Sequence, residues 1–193
     1  MKEILAAILM FLTGAPADLP VEVAKIAPAD LCQVCTVSDE GLALIKQFEG
    51  FRPYPYKDVA GLDTIGFGHL IKPGEKIPVP LLGQAAHELL VRDTEEAQTG
   101  VNRYTSIPLK QGQFDALVSF TFNLGVGAYK GSSVRDRVNR ELHIDVPGRM
   151  LLWNKARVDG KLKPVPGLTR RRIAEGTLYD MATKDSVVAD YLY

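Results

Sequence analysis

From residue 49 to residue 69 the chain reads Glu-Gly-Phe-Arg-Pro-Tyr-Pro-Tyr-Lys-Asp-Val-Ala-Gly-Leu-Asp-Thr-Ile-Gly-Phe-Gly-His, a run too rich in proline and glycine to remain helical. Gly50 stops any helix that reaches it, and Pro53 and Pro55 lack the N–H that a continuing helix needs. The alternative is a small antiparallel sheet over residues 54–70, with a turn at 59–63 and Thr64, Ile65 and Phe67 on the returning strand. Gly66 and Gly68 leave room above that sheet for another backbone or a sugar ring.

Helical patterns flank this stretch. Ser38 is a good N-cap, and Asp39 and Glu40 suit the positive end of a helix dipole. Leu42, Ile45 and Phe48 then share a face, which leaves Glu49 at the rim of the core, half withdrawn from water. After a proline-rich segment at 72–80, Leu82, Ala85, Ala86, Leu89, Leu90, Ala97 and Val101 keep a helical period. A second helix is expected over 109–124 with Phe114, Leu117, Val118 and Phe120 inward. Further helices are expected near 133–141, 146–156 and 168–181, with Trp153 as a core anchor.

Two carboxylates, Glu49 and Asp58, bracket the first part of the stretch, and Thr64 follows six residues later. Glycoside hydrolysis needs one protonated carboxyl beside the leaving oxygen and one ionised carboxylate across the sugar ring. A helix ending at Glu49 followed by a hairpin supplies both. The Glu, Asp and Thr at these spacings, closed by Thr64-Ile65-Gly66-Phe67-Gly68-His69, resemble the phage-type lysozymes, the endolysins that open bacterial cell walls. The resemblance implies that Glu49 is the catalytic acid, that Asp58 assists on the opposite face of the sugar, and that Thr64 helps to hold the attacking water. It also implies a pairing of His69 with Asp93 as structural support, and a cleft position for Asn123 that suits sugar binding.

A second match lies at 167–175, Gly-Leu-Thr-Arg-Arg-Arg-Ile-Ala-Glu, in which Arg171, Arg172 and Glu175 fit a closing motif of the same family. The resemblance implies that an arginine near this point pairs with the catalytic glutamate, and leaves open which one. Arg170 reads as part of a solvated basic helix face.

Residues 1–17 contain nine apolar residues, 4–12, followed by Ala15-Pro16-Ala17. This suits an export signal with a small-residue cleavage pattern, and equally a short apolar helix buried against the domain. It is too short to span a membrane, which takes about 20 apolar residues. Residues 14–37 read as a linker stiffened by proline. Cys32 and Cys35, the only cysteines, are expected to be reduced or locally bridged, because neither a second ligand pair for zinc nor a strand-helix redox context accompanies them; the family resemblance also implies a regulatory thiol role as an alternative.

Net charge is zero, yet residues 103–172 carry fourteen basic side chains against five acidic ones, a net of +9. Clustered charge of that sign draws a protein to an anionic polymer. No nucleic-acid-binding motif accompanies it, so a bacterial envelope is the expected target and nucleic acid is not.

Together these readings give an α+β, two-lobed lysozyme-like fold, with a small antiparallel sheet lobe and a helical lobe joined by a long helix. The expected divisions are an N-terminal apolar segment and linker at 1–37, the catalytic domain at 38–185 and a tail at 186–193. The expected activity is hydrolysis of the β-1,4 bond between N-acetylmuramic acid and N-acetylglucosamine in peptidoglycan by a monomer, without metal or cofactor. The chain would be made in the host cytoplasm, act on the wall in the periplasm, and touch the membrane or export machinery only transiently through residues 1–17. The rivals are a lytic transglycosylase, which dispenses with the second carboxylate, and a non-catalytic wall-binding module.

Overall fold

The structure is a computed structural model. It describes residues 35–58, 60–158 and 160–188, the last four of these by backbone alone. The apolar run, the linker as far as residue 34, Cys32 and the last five residues lie outside the described residues. In chain order the elements are α1 (Asp39–Glu49), β1 (Arg52–Lys57), β2 (Asp63–Gly66), β3 (His69–Leu70), α2 (Gly83–Tyr104), α3 (Gln111–Leu124), α4 (Val126–Gly131), α5 (Ser133–Asn139), a 3-10 turn, α6 (Val146–Leu151), β4 (Lys155–Val158), β5 (Lys161–Pro164) and α7 (Pro166–Val188).

α3 is the hub of the helical lobe. Every residue from Gln113 to Thr121 is buried, and α1, α2, α4 and α7 all pack against it. A helix that is apolar nearly all round has to be central. Phe114, Leu117 and Phe120 are fully buried, and each contributes roughly 1.5–3 kcal/mol by leaving water. Trp153 meets Phe120 edge-on, with ring centroids 5.8 Å apart, which makes it part of this core. A smaller core of Ile65, Leu81, Ala86 and Leu89 lies under the sheet. α2 contributes to both cores and so joins the two lobes. No described helix is long and apolar enough to cross a membrane.

The entry to α1 is fixed from α2 and α3. Ser38 Oγ accepts the Gly41 N–H at 3.3 Å and donates to Asp115 Oδ2 at 2.5 Å, and Asp115 Oδ1 accepts the Ser38 N–H at 2.9 Å. Burial pushes the Asp115 carboxyl up, while these bonds and one from Gln111 favour its charged form. Just before this, Asn102 bonds both the N–H and the carbonyl of Cys35. Cys35 is buried and disulfide-bonded.

Three elements differ from the sequence reading. Strand β2 ends at Gly66, and Phe67 sits in the following turn because Gly66 and Gly68 take positive φ of 68° and 92°. The space expected above Gly66 is filled, since a Cβ there would lie 2.8 Å from Leu81 Cδ2. The helix expected over 146–156 stops at Leu151, and β4 and β5 form a two-stranded ribbon that turns at Gly160, φ 75°. α7 starts at Pro166, where a proline has no N–H to waste, and runs on to Val188.

Candidate active site

Glu49 is the last residue of α1, and Gly50 (φ 70°) turns the chain away directly after it. Its side chain is 23% exposed, and Oε1 accepts a hydrogen bond from Arg171 Nη1 at 2.5 Å. The second oxygen, Oε2, lies 4.0 Å from where a Cβ on Gly68 would stand. The turn after β2 therefore comes within ordinary contact distance of the carboxyl, and among the described residues no hydrogen bond reaches Oε2.

Arg171 is held in turn. Its Nε donates to Glu175 Oε1 at 3.1 Å and its Nη2 to the Ser119 carbonyl at 3.3 Å. Glu175 is wholly buried and also takes Ser119 Oγ at 2.8 Å and Arg172 Nη2 at 2.9 Å, while Arg172 Nε stands 2.8 Å from its Oε2. Burial pushes the Glu175 carboxyl up and the Arg172 guanidinium down, and the opposite charges facing each other work against both shifts. Two cations thus share one carboxylate inside the helical lobe, and one of them reaches out to Glu49. Arg171 and Arg172 both line up with Glu175 at helical spacings of four and three, the signal by which the cluster was legible in principle.

On the other lobe, β1 and β2 pair Tyr56 with Thr64 and Lys57 with Asp63, and the Asp58 N–H extends the ladder to the Leu62 carbonyl at 3.0 Å. Asp58 and Thr64 are therefore diagonal neighbours on one face of the hairpin. Both are anchored on the same residue. Asp58 Oδ1 accepts the N–H groups of Ala60 and Leu62 at 2.8 and 2.9 Å, and Thr64 Oγ1 donates to the Leu62 carbonyl at 3.1 Å. Among the described residues nothing bonds Asp58 Oδ2, and neither side chain bonds Glu49.

A cleft of about 670 Å³ opens between α1, α3 and α7, and Glu49, Asn123, Arg170 and Arg171 line it. Asn123 Oδ1 accepts from Arg172 Nη2 at 3.0 Å, and its amide donors are unused among the described residues. Asp58 and Thr64 are not in this lining, so the cleft gathers the glutamate, the asparagine and the arginine while the hairpin pair stands on the sheet lobe.

The family model of phage lysozyme matches residues 46–175, which include every one of these groups. The chain belongs to the phage lysozyme family. An endolysin of Acyrthosiphon pisum secondary endosymbiont phage 1 is 34% identical over 148 residues, 76% of this chain and 99% of that one. Among solved structures, the muramidase domain of SpmX from Asticaccaulis excentricus superposes with a TM-score of 0.68 at 35% identity, covering 75% of this chain and 97% of that one. The endolysin from Escherichia coli O157:H7 phage FAHEc1 gives 0.67 at 35%, covering 75% and 93%. This lysozyme is accordingly a glycosidase of the endolysin type, directed at peptidoglycan.

His69 of the lysozyme, on β3, bonds Asp93 Oδ1 through Nδ1 at 2.7 Å and Glu75 Oε2 through Nε2 at 2.9 Å. Glu75 had no place in the sequence reading. Burial alone would push the His69 imidazole down, but the bonds to Glu75 and Asp93 and their charges outweigh it, and the ring titrates above its ordinary value. The bond from His69, with the Lys72 N–H, holds Glu75 below the usual range. Asp93 reverses the expectation for a paired carboxylate. Burial raises it, and the bond and charge of His69 only partly counter that.

The stabilising partners are thus His69 and Glu75. The part due to His69 is complete below about pH 6.5 and is lost as pH rises through the raised folded value. The part due to Glu75 is lost as pH falls through its depressed folded value, and Asp93 adds a cost once it ionises. An NMR titration should place the His69 midpoint above about 6.5; a midpoint below that value would refute the arrangement.

Proposed function

We propose that this lysozyme hydrolyses the β-1,4 bond from N-acetylmuramic acid to N-acetylglucosamine, with Glu49 as general acid and Asp58 and Thr64 as the pair that positions and activates water. The observation that carries the reading is the asymmetry of Glu49. One oxygen is fixed by Arg171, and the other takes no hydrogen bond among the described residues while the side chain lines the cleft. Protonated Glu49 gives its proton to the glycosidic oxygen as the bond to the anomeric carbon breaks. The carboxylate left behind faces the Arg171 guanidinium, so the charge that develops meets a fixed opposite charge. Water adds to the anomeric carbon from the other face and passes a proton to Asp58, whose free Oδ2 is the acceptor. His69 and Asp93 support the sheet lobe, Arg171 and Arg172 support Glu49 and Asn123, and Asn123 offers its amide to the sugar.

The alternative use of a single acid, by a transglycosylase, leaves Asp58 and Thr64 without a task. Mass analysis of digested peptidoglycan separates the two. Hydrolysis gives a product carrying the mass of one added water, and a 1,6-anhydro sugar would contradict the reading; a wall that is bound but not cleared would leave only a binding module.

The protein is further proposed to be a monomer that is made in the host cytoplasm and reaches the wall through residues 1–17, whose apolar run from 4 to 12 supports contact with the membrane or export machinery. Expressed in bacteria without any phage pore protein, the full chain should give periplasmic activity and a chain starting at Ser38 should not. Equal retention of both in the cytoplasm would contradict export.

A further inference from the structure

The β4–β5 ribbon does no work for the core. It is exposed along nearly its whole length, and a lone two-stranded ribbon is marginal in water unless something else holds it. Its register places Lys155 and Arg157 on one face, opposite Pro164 and Leu162, and Lys161 and Lys163 on the other. Asp159 is the single acid in residues 155–164. Lys155, Arg157 and Lys161 enter no ion pair among the described residues, unlike Arg171 and Arg172.

The base of the ribbon is the wall of the active-site cleft. The Val165 N–H donates to the Asn154 carbonyl at 2.9 Å, and Asn154 Nδ2 donates to Thr169 Oγ1 at 3.1 Å, fastening both ends of the ribbon to the first turn of α7. Val165 and Arg170 then line the cleft beside Glu49. Arg170 is exposed and enters no ion pair among the described residues, so positive charge runs from the cleft out along the ribbon.

We propose that the ribbon is an arm of the cleft that takes the carboxylates of the peptide stems on the peptidoglycan strand being cut. The inference rests on the glycosidase reading above and adds the recognised part of the substrate. A glycan strand seated across Glu49 carries its stems outward from the cleft, and free carboxylates are the anionic groups those stems present. Lysine suits them, because a compact charge on a flexible stem follows a mobile partner better than a fixed fork does. Such contacts at the surface are short in range and fall away with salt, over a Debye length of about 8–10 Å.

The test compares the full chain with its Lys155→Gln/Arg157→Gln/Lys161→Gln variant on two soluble substrates, glycan chains bearing peptide stems and the same chains stripped of them. The readout is the ratio of kcat/KM on the first to kcat/KM on the second. At low salt the variant should lower this ratio about tenfold, and the difference between variant and wild type should shrink at 0.5 M salt. An unchanged ratio, whether both activities fall or neither does, would overturn the proposal. So would a variant whose only loss is binding to phosphatidylglycerol vesicles, which would assign the ribbon to the membrane. Failure of the wild type to cleave either substrate would instead remove the glycosidase reading on which the inference stands. The changed side chains are exposed, so an unaltered Tm accompanies a valid comparison.

Discussion

Glu49→Gln is expected to leave less than about 1% of the wall-clearing rate, since loss of a general acid costs a factor of 100 or more. The amide keeps the shape and an oxygen that can still accept from Arg171 Nη1, so the side chain stays in place and the proton alone is missing. Turbidity clearing of peptidoglycan measures the rate, and thermal unfolding checks that the variant is folded. A folded variant that clears walls within a few-fold of wild type would remove Glu49 from the acid's role and the mechanism with it.

The largest stability effect should come from Glu175→Gln. The change leaves the Arg171 and Arg172 guanidinium groups beside each other in the interior without the carboxylate that both contact. Breaking a buried pair from one side costs about 3–5 kcal/mol, a fall in Tm of roughly 6–20 °C for a chain of this size. The Lys57–Asp63 pair is equally close, at 2.9 Å, but both side chains are exposed, and an exposed pair contributes only about 0–1 kcal/mol. Lys57→Gln is the internal control. Should Glu175→Gln unfold within 1 °C of wild type, the cluster is not what holds Arg171 against Glu49. Activity should fall along with stability in this variant, because Arg171 loses its own anchor.

Local chemistry made much of this legible. The end of α1 at Glu49 follows from Gly50 and two prolines, and the hairpin follows from what those residues forbid. The closeness of Asp58 to Thr64 is a matter of register over a few residues, which a short turn fixes. What could not be read is whatever depends on how distant elements seat on one another. Arg170, Arg171 and Arg172 are alike in sequence, and only the rotation of α7 against α1 and α3 decides that Arg171 reaches a glutamate 122 residues away. Gly68 reads as a glycine that leaves room above the sheet, and only the structure puts it in a turn beside the end of α1. The direction in which Asp93 shifts depends on depth of burial, which overrode the rule for a paired carboxylate. The β4–β5 ribbon was hidden because its alternation sets cations against aliphatic residues on both faces, with no apolar side to announce a strand.

In the proposed mechanism one water, held by Asp58 and Thr64, attacks while Glu49 protonates the leaving oxygen. A held water requires the two carboxyls to stand about 6.5–9.5 Å apart, and hydrolysis then inverts the anomeric carbon; a nucleophilic second carboxylate would need about 5–5.5 Å and would retain it. Proton NMR of the freshly cleaved β-linked substrate, recorded before mutarotation, reads the outcome directly. The α-anomer should appear first. An initial β-anomer, or a glycosyl ester trapped on Asp58, would contradict the water-holding role of Asp58 and Thr64.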